Sequence, residues 1–164
     1  MIKEALGAVA LFVVTGSAAA QEIQALGLEG WSMETRGELL AGEEGSYVIV
    51  SAQKENSGFA YGCSSGETPL LAWRPGQQLA ASRLRLKVSV GGAAVAEADA
   101  RLIDAGTYAF DPSTAQPMAV IQAIYDKGSG VITVSGGGLT HSFNFNEEEA
   151  GWPSELVLAA CGEL

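Results

Sequence analysis

The residues best suited to chemistry in this sequence are its two cysteines, Cys63 and Cys161, and its single histidine, His141. A thiolate beside an imidazole is the arrangement of a cysteine nucleophile. However, no carboxylate is recognisably spaced to orient the imidazole, and free thiols tend to be oxidised outside the cytoplasm. We therefore expect Cys63 and Cys161 to form a disulfide rather than part of a catalytic site.

His141 lies on the apolar side of an alternating segment, and there is no second histidine to share a zinc ion with it. A zinc site needs three or four nitrogen, sulfur or oxygen ligands, and the cysteines are better explained by each other. We expect a packed core histidine with one hydrogen bond, with no metal and no cofactor in the protein. An acid–base or ligand role for His141 stays open as the alternative.

The acidic runs at 43–44 and 147–149 lack the Asp/Asn spacing and turning glycine of a calcium loop, so we expect solvated loops there. The glycine runs at 91–92 and 136–138 precede no helix N-terminus and no Lys-Ser/Thr pair, and are typical of hairpin turns. Neither a paired carboxylate signal nor a Gly-x-Ser-x-Gly elbow is evident. We therefore expect no catalytic residues.

The N-terminus has the composition of a secretory signal peptide. Lys3 is followed by a nearly continuous apolar run over 5–14, and Ala18-Ala19-Ala20 provides a cleavage site of the A-x-A kind. The run is too short to span a bilayer core, which needs about 20 residues. We expect cleavage near Ala20, a mature chain 21–164 in the periplasm or secreted, and no membrane span in that chain.

Length and charge narrow the possible partners. Removal of residues 1–20 leaves 144 residues, the size of one domain. The mature chain has 8 basic and 18 acidic residues, a net charge of -10. Such a charge repels nucleic acid and favours encounter with a basic protein. The sequence does not indicate the oligomeric state.

Alternating apolar residues and glycine-rich turns predict an antiparallel β domain from Trp31 onward, with 21–30 as a loose lead-in. We expect strands at 46–54 and 59–64 around a four-residue turn at 55–58. Phe59, Tyr61 and Cys63 would then share one buried face.

The segment 83–90 alternates most clearly, and charge predicts its pairing with the following strand. A three-residue loop at 91–93 sets Lys87 opposite Glu97 and Arg85 opposite Asp99 on the solvated face. A two-residue loop would mix apolar and charged faces, so we expect the three-residue loop. This pairing would make the carboxylates a solvated ladder rather than catalytic groups.

Two helices and one more hairpin complete the expected fold. The hairpin joins strands at 130–135 and 139–146, with Leu139, His141, Phe143 and Phe145 on one face. One helix follows Pro117, with an apolar stripe of Met118, Ile121, Ile124 and Tyr125, and ends at Lys127 and Gly128. The last helix begins near Pro153 and ends at Cys161, with Leu156, Ala159 and Ala160 toward the sheet. The fold class is an antiparallel β-sandwich or flattened barrel of eight or nine strands with two short helices and one disulfide.

The segment Ser57-Gly58-Phe59-Ala60-Tyr61, followed closely by Cys63, reads Ser-Gly-x-x-Tyr. It resembles the signature of the periplasmic inhibitors of chicken-type lysozyme, small exported β-barrels. The resemblance implies that Ser57 and Tyr61 contact the carboxylates of a basic lysozyme, although the segment precedes the first cysteine, a departure from that family's usual order.

The layout of the whole chain has a second resemblance. A signal peptide, an early tryptophan strand, a cysteine in the first half, a β ladder and a short helix ending in Ala-Ala-Cys resemble the small exported bacterial proteins related to invasion-associated locus B. This resemblance implies a β-sandwich without catalytic residues. We therefore expect an exported, non-enzymatic binding or envelope-associated protein. The alternatives are the lysozyme inhibitor, a small-ligand carrier and, with no local signal, a hydrolase.

Overall fold

The computed structural model describes residues 21–26, 30–37, 44–64 and 69–163. The expected signal peptide at 1–20 and Glu43 of the first acidic run lie outside the described residues. Ten strands are present: β1 (Gln21–Leu26), β2 (Trp31–Arg36), β3 (Tyr47–Lys54), β4 (Ser57–Ser64), β5 (Leu70–Arg74), β6 (Arg83–Val90), β7 (Ala93–Leu102), β8 (Tyr108–Phe110), β9 (Gly130–Gly136) and β10 (Leu139–Phe145). The helices are α1 (Gln116–Lys127) and α2 (Trp152–Ala160), and a π-helical turn, Glu147–Gly151, precedes α2.

All ten strands form one antiparallel sheet in the order β1-β2-β3-β4-β5-β8-β7-β6-β9-β10. The mainly β class with two helices and one disulfide is confirmed, with ten strands rather than eight or nine. Strand β1 lies where a loose lead-in was expected, and no range had been predicted for β5 or β8. Strand β1 pairs along its whole length with β2, yet only Leu26 among its described side chains is buried. An edge strand pairs with one neighbour only, so β1 needs no apolar alternation.

The sheet curves until its last strand faces its first half. The rings of Phe59 on β4 and Phe143 on β10 stack with centroids 5.9 Å apart. Across the same gap, the Trp31 indole donates to the Asn144 carbonyl at 2.8 Å. The concave face of the sheet, here called the inner face, therefore encloses a single large core.

Both helices lie on the inner face. Helix α1 packs on β6 and β7 through Val120, Ile121 and Ile124, which confirms its predicted position. Helix α2 packs on β3 and β4, but its buried side is only partly the predicted one. Ala160 is buried as predicted, Leu156 and Ala159 are half-buried, and Ser154, Val157 and Leu158 are buried. With Cys161 these form the spacing i, i+3, i+4, i+7 of one helical face, which the polar Ser154 concealed.

The predicted disulfide is present and joins β4 to the residue that follows α2. The Cα atoms of Cys63 and Cys161 are 5.6 Å apart, and the bond closes a sequence separation of 98 residues. Cys63 shares the inner face with Phe59 and Tyr61, as the alternation predicted. The disulfide thus fixes the end of the chain under the first half of the sheet.

The predicted pairing of β6 with β7 is confirmed, but the predicted loop is wrong. Lys87 lies opposite Glu97 and Arg85 opposite Asp99. The loop is the two-residue turn Gly91-Gly92, with φ of 60° and 82°, and the register shifts at a bulge between Val88 and Ser89. Val95 is the extra residue on β7. A bulge moves the downstream register by one position, as a longer turn would.

Two other expected loops also differ. The β3–β4 turn has two residues, Glu55 and Asn56, instead of four, because Glu55 takes a φ of 55° and Lys54 pairs with Ser57. The acidic run 147–149 is not a loop: Asn146 caps the π-helical turn, and buried Glu149 accepts a hydrogen bond from the Asn146 backbone at 3.1 Å. The β9–β10 hairpin has the predicted faces, with Phe143 and Phe145 buried.

Within the described ranges, no helix is both long enough and apolar enough to cross a membrane.

Candidate functional site

The structure places Ser57 and Tyr61 inside the protein. Tyr61 is 1% exposed. Its hydroxyl lies 2.8 Å from Ser154 Oγ and donates to the Ala150 carbonyl at 3.3 Å. Ser57 is also buried and donates to the Lys54 carbonyl at 2.8 Å. The Tyr61 hydroxyl is therefore not presented to a partner, whereas Ser57 lines a surface cleft with its hydroxyl bonded to the backbone. A lysozyme-inhibitor function would need contact residues other than Tyr61.

Burial explains the chemistry of Tyr61. Desolvation raises the pKa of its phenol well above the ordinary range, because the ionised form would lie in the core, and the Ser154 hydrogen bond opposes this only in part. A neutral phenol that joins β4 to α2 is a structural group rather than an acid or base at neutral pH.

His141 packs against Trp73, with ring centroids 5.5 Å apart. Its Nδ1 atom and the Trp73 indole nitrogen are buried without a hydrogen-bond partner in the described part of the chain, so the hydrogen bond expected for His141 is not found there. Both cysteine sulfurs are in the disulfide, so no thiol is present for a nucleophile in that pair. Among the described residues no group of three or more His, Cys, Asp or Glu side chains could hold a metal ion.

One concavity lies on the opposite, outer face of the sheet and is here called the outer cleft. It has a volume of about 490 Å³ and lies over β3, β4 and β5. Its floor is flat because the side chains there are short. Ser51, Ala60 and Ala72 are paired in one row across the three strands, and Gly58 lies two positions along β4 from that row.

Polar side chains surround this floor. Four amide side chains line the outer cleft: Gln53, Asn56, Gln77 and Gln78. The loop at 105–107 forms another side, and Arg74 reaches in from the end of β5. Among the described residues that line the outer cleft, Arg74 is the only one with a formal charge.

Arg74 is held by the β7–β8 connection. Its Nε donates to Thr107 Oγ1 at 3.4 Å, and its Nη2 is 4.0 Å from Asp104 Oδ2. Asp104 in turn accepts hydrogen bonds at 2.8 Å from the backbone nitrogens of Gly106 and Thr107. The carboxylate thus organises the loop that orients the guanidinium.

Two further clefts carry charges of both signs. One of about 580 Å³ lies over the outer face of β7 and β8 and includes Arg83, Arg101, Asp99 and Asp111. There the Ser113 hydroxyl, by donating to the carboxylate, lowers the pKa of Asp111. The other, of about 480 Å³, lies at the rim between the β3–β4 turn and β10, and includes Lys54, Glu55 and His141. In both of these clefts, basic and acidic groups balance one another.

Sequence reasoning missed Arg74, Asp104 and the cleft floor. A signal for the floor was present, since Gly58, Ala60 and Gly62 alternate with the buried Phe59, Tyr61 and Cys63. It also missed Glu34, whose buried carboxylate accepts a 2.6 Å hydrogen bond from Tyr47 on the outer face. Burial, and next the bond to Glu34, raise the pKa of the Tyr47 phenol.

A scan of protein-family models found no family that matches this chain, and searches of curated proteins and solved structures found no similar protein. The resemblances to lysozyme inhibitors and to the invasion-associated proteins stay hypotheses.

Proposed function

We propose that this chain is an exported, non-enzymatic binding protein and that the outer cleft receives a small ligand. The observation that carries the proposal is the cleft itself, with its volume of about 490 Å³ on an outer face that carries charged side chains on β6 and β7. Ligand pockets typically measure about 300 to 1,000 Å³.

The composition of the outer cleft supports binding. Ligand sites combine apolar surface with a few convergent polar groups that fix orientation. Here the floor supplies alanine and glycine, and the walls supply the amides and Arg74. Each amide both donates and accepts hydrogen bonds, which suits a ligand with polar edges.

The same composition favours binding over hydrolysis. General acid–base catalysis requires groups that exchange protons near neutral pH, most often histidine or a carboxylate. No such side chain lines the outer cleft among the described residues, and the guanidinium of Arg74 stays charged at all ordinary pH values. The chemistry available there is recognition.

Export is supported by the disulfide and by the N-terminal sequence. Disulfides persist in oxidising compartments and are rare in the cytosol. A bond between Cys63 and Cys161, together with the signal-peptide pattern at 1–20, favours the periplasm or the exterior of the cell.

A substitution that partly fills the outer cleft tests whether a ligand binds there. A Cβ at Gly58 would meet only the Ala52 carbonyl oxygen at 3.5 Å and the Arg74 Cβ at 3.9 Å, so Gly58→Val is compatible with the fold and narrows the cleft. In thermal-shift measurements with a panel of small molecules, a ligand at 100 times its Kd should raise the wild-type Tm by roughly 5–10 °C. The rise should vanish in Gly58→Val.

The control is Ala94→Val, which adds a similar side chain on exposed β7 outside the outer cleft and should keep the full rise. If no member of the panel stabilises the wild type, or if the rise survives in Gly58→Val, the proposal is wrong.

A further inference from the structure

We infer that the ligand of the outer cleft is a small monocarboxylate with a flat apolar body, anchored through Arg74. This inference rests on the proposed function and adds the chemical class of the ligand to it. It combines two features of the cleft, the partly exposed guanidinium of Arg74 and the flat floor beside it.

Arg74 indicates that one end of the ligand is anionic. Its Nε is occupied by Thr107, but the 4.0 Å between Nη2 and Asp104 Oδ2 exceeds hydrogen-bonding distance, and Nη1 has no partner in the described part of the chain. The Arg74 side chain is 32% exposed. A guanidinium with both terminal nitrogens available matches a carboxylate in a two-bond fork.

The loop at 104–107 prepares this group for binding. Thr107 is buried, and Asp104 fixes its backbone, so the Thr107 hydroxyl holds the Arg74 Nε in place before a ligand arrives. A side chain oriented in advance loses less conformational freedom on binding. Asp104 and Thr107 are therefore positioning residues, and Arg74 is the contact residue.

The flat floor of the outer cleft indicates that the rest of the ligand is a flat apolar body. Neighbouring strands are about 4.8 Å apart, so the row of Ser51, Ala60 and Ala72 across three strands provides a flat strip roughly 10 Å wide. The missing side chain at Gly58 extends this surface toward Arg74, since a Cβ there would be 3.9 Å from the Arg74 Cβ. An aromatic or fused-ring plane fits such a strip.

The charge of the whole protein limits the ligand to a single negative charge. The net charge of -10 repels anions at long range, and within the described residues only one cation lines the outer cleft. The carboxylate of Asp104, 4.0 Å from Arg74 Nη2, already offsets part of this positive charge, so the second charge of a phosphate monoester or dicarboxylate would stay unpaired.

The test uses two matched probes, 2-naphthoate and 2-naphthamide, titrated by calorimetry into the full chain expressed for export and purified in the oxidised form. The two probes share the same ring system and differ in charge. Because charge-assisted hydrogen bonds are markedly stronger than neutral ones, naphthoate should bind at least about tenfold more tightly than naphthamide. Arg74→Gln should abolish this preference, and Arg74→Lys should reduce it.

Arg101→Gln is the matched control, since it removes an exposed arginine on the same outer face but beyond the outer cleft, and should preserve the preference. Circular dichroism of each variant verifies folding, and Arg74→Lys carries the test if Arg74→Gln does not fold. Loss of the preference in Arg101→Gln would assign the anion to the second cleft and overturn the inference.

Failure of the inference and failure of the proposed function are distinguishable. Equal binding of both probes, lost in Gly58→Val, would overturn the carboxylate assignment and leave the outer cleft as a binding site. Binding that Gly58→Val leaves unchanged would overturn both the carboxylate assignment and the proposed function. Absence of binding by either probe would overturn the ligand class alone, and the wider panel would then decide the proposed function.

Discussion

The outer face of this one sheet is built in two different ways. On β6 and β7 it carries long charged side chains that pair across the strands, with Arg85 Nη1 3.4 Å from Asp99 and Lys87 Nζ 3.8 Å from Glu97. On β3, β4 and β5 it carries short side chains beside one arginine. The first region, the charged ladder, neutralises itself, whereas the outer cleft has a partly exposed cation beside a floor of short side chains.

In our proposal the charged ladder provides solubility and the outer cleft provides recognition. Exposed ion pairs contribute only about 0 to 1 kcal/mol each, so the charged ladder serves mainly to solvate the sheet. In the outer cleft the positive charge of Arg74 is oriented by buried Thr107 and lies 4.0 Å from the Asp104 carboxylate. A concave surface with a few convergent polar groups is typical of ligand-binding sites.

The largest expected effect comes from the disulfide, which ties β4 beneath the outer cleft and does not touch the charged ladder. Replacement of both cysteines, Cys63→Ser with Cys161→Ser, should lower the free energy of unfolding by about 2–5 kcal/mol. Hydrogen exchange should accelerate more on β3 and β4 than on β6 and β7. Equal acceleration of hydrogen exchange in both regions would show that the disulfide does not act selectively on the strands beneath the outer cleft. The oxidised wild type is the control.

The buried phenols of the first half predict a loss of stability in alkali. The pKa of Tyr61 and that of Tyr47 are raised in the folded state, so the unfolded phenols ionise first once the pH exceeds about 10. Their contribution to stability is complete below that pH and falls as the pH rises further. Denaturant midpoints should therefore decrease between pH 9 and 11.

Tyr61→Phe sharpens this prediction. The variant loses the hydrogen bond to Ser154, at a cost of about 1 kcal/mol at neutral pH, and should lose less stability than the wild type between pH 9 and 11. The wild type, measured in parallel over the same pH range, is the control. An unchanged pH dependence in Tyr61→Phe would contradict the account.

The smallest expected effect lies in the charged ladder. A double-mutant cycle on Lys87→Met and Glu97→Gln should give a coupling energy below about 1 kcal/mol that declines with salt. Neither substitution should change ligand affinity in the outer cleft. A coupling of several kcal/mol, measured by denaturant unfolding, would show that the charged ladder is structural and that the two regions differ less than described.

The charged ladder was also the part most accessible to prediction, because charge and size at Arg85, Lys87, Glu97 and Asp99 specify one register. Sequence could not decide between a longer turn and a bulge at Val95, since both produce that register. Strand β1 was missed because an edge strand buries little. The outer cleft was missed because it forms only when the distant segments at 76–78 and 105–107 meet β3–β5.

The most direct measurement is a chemical-shift map of the ¹⁵N-labelled protein with 2-naphthoate. If the outer cleft binds the probe, saturable chemical-shift changes should occur at Gly58, Ala60, Ala72, Arg74 and Thr107. No such changes should occur at Arg85 or Lys87. Changes centred on the charged ladder or the rim near His141, with none at the floor residues, would contradict the assignment of the outer cleft as the binding site.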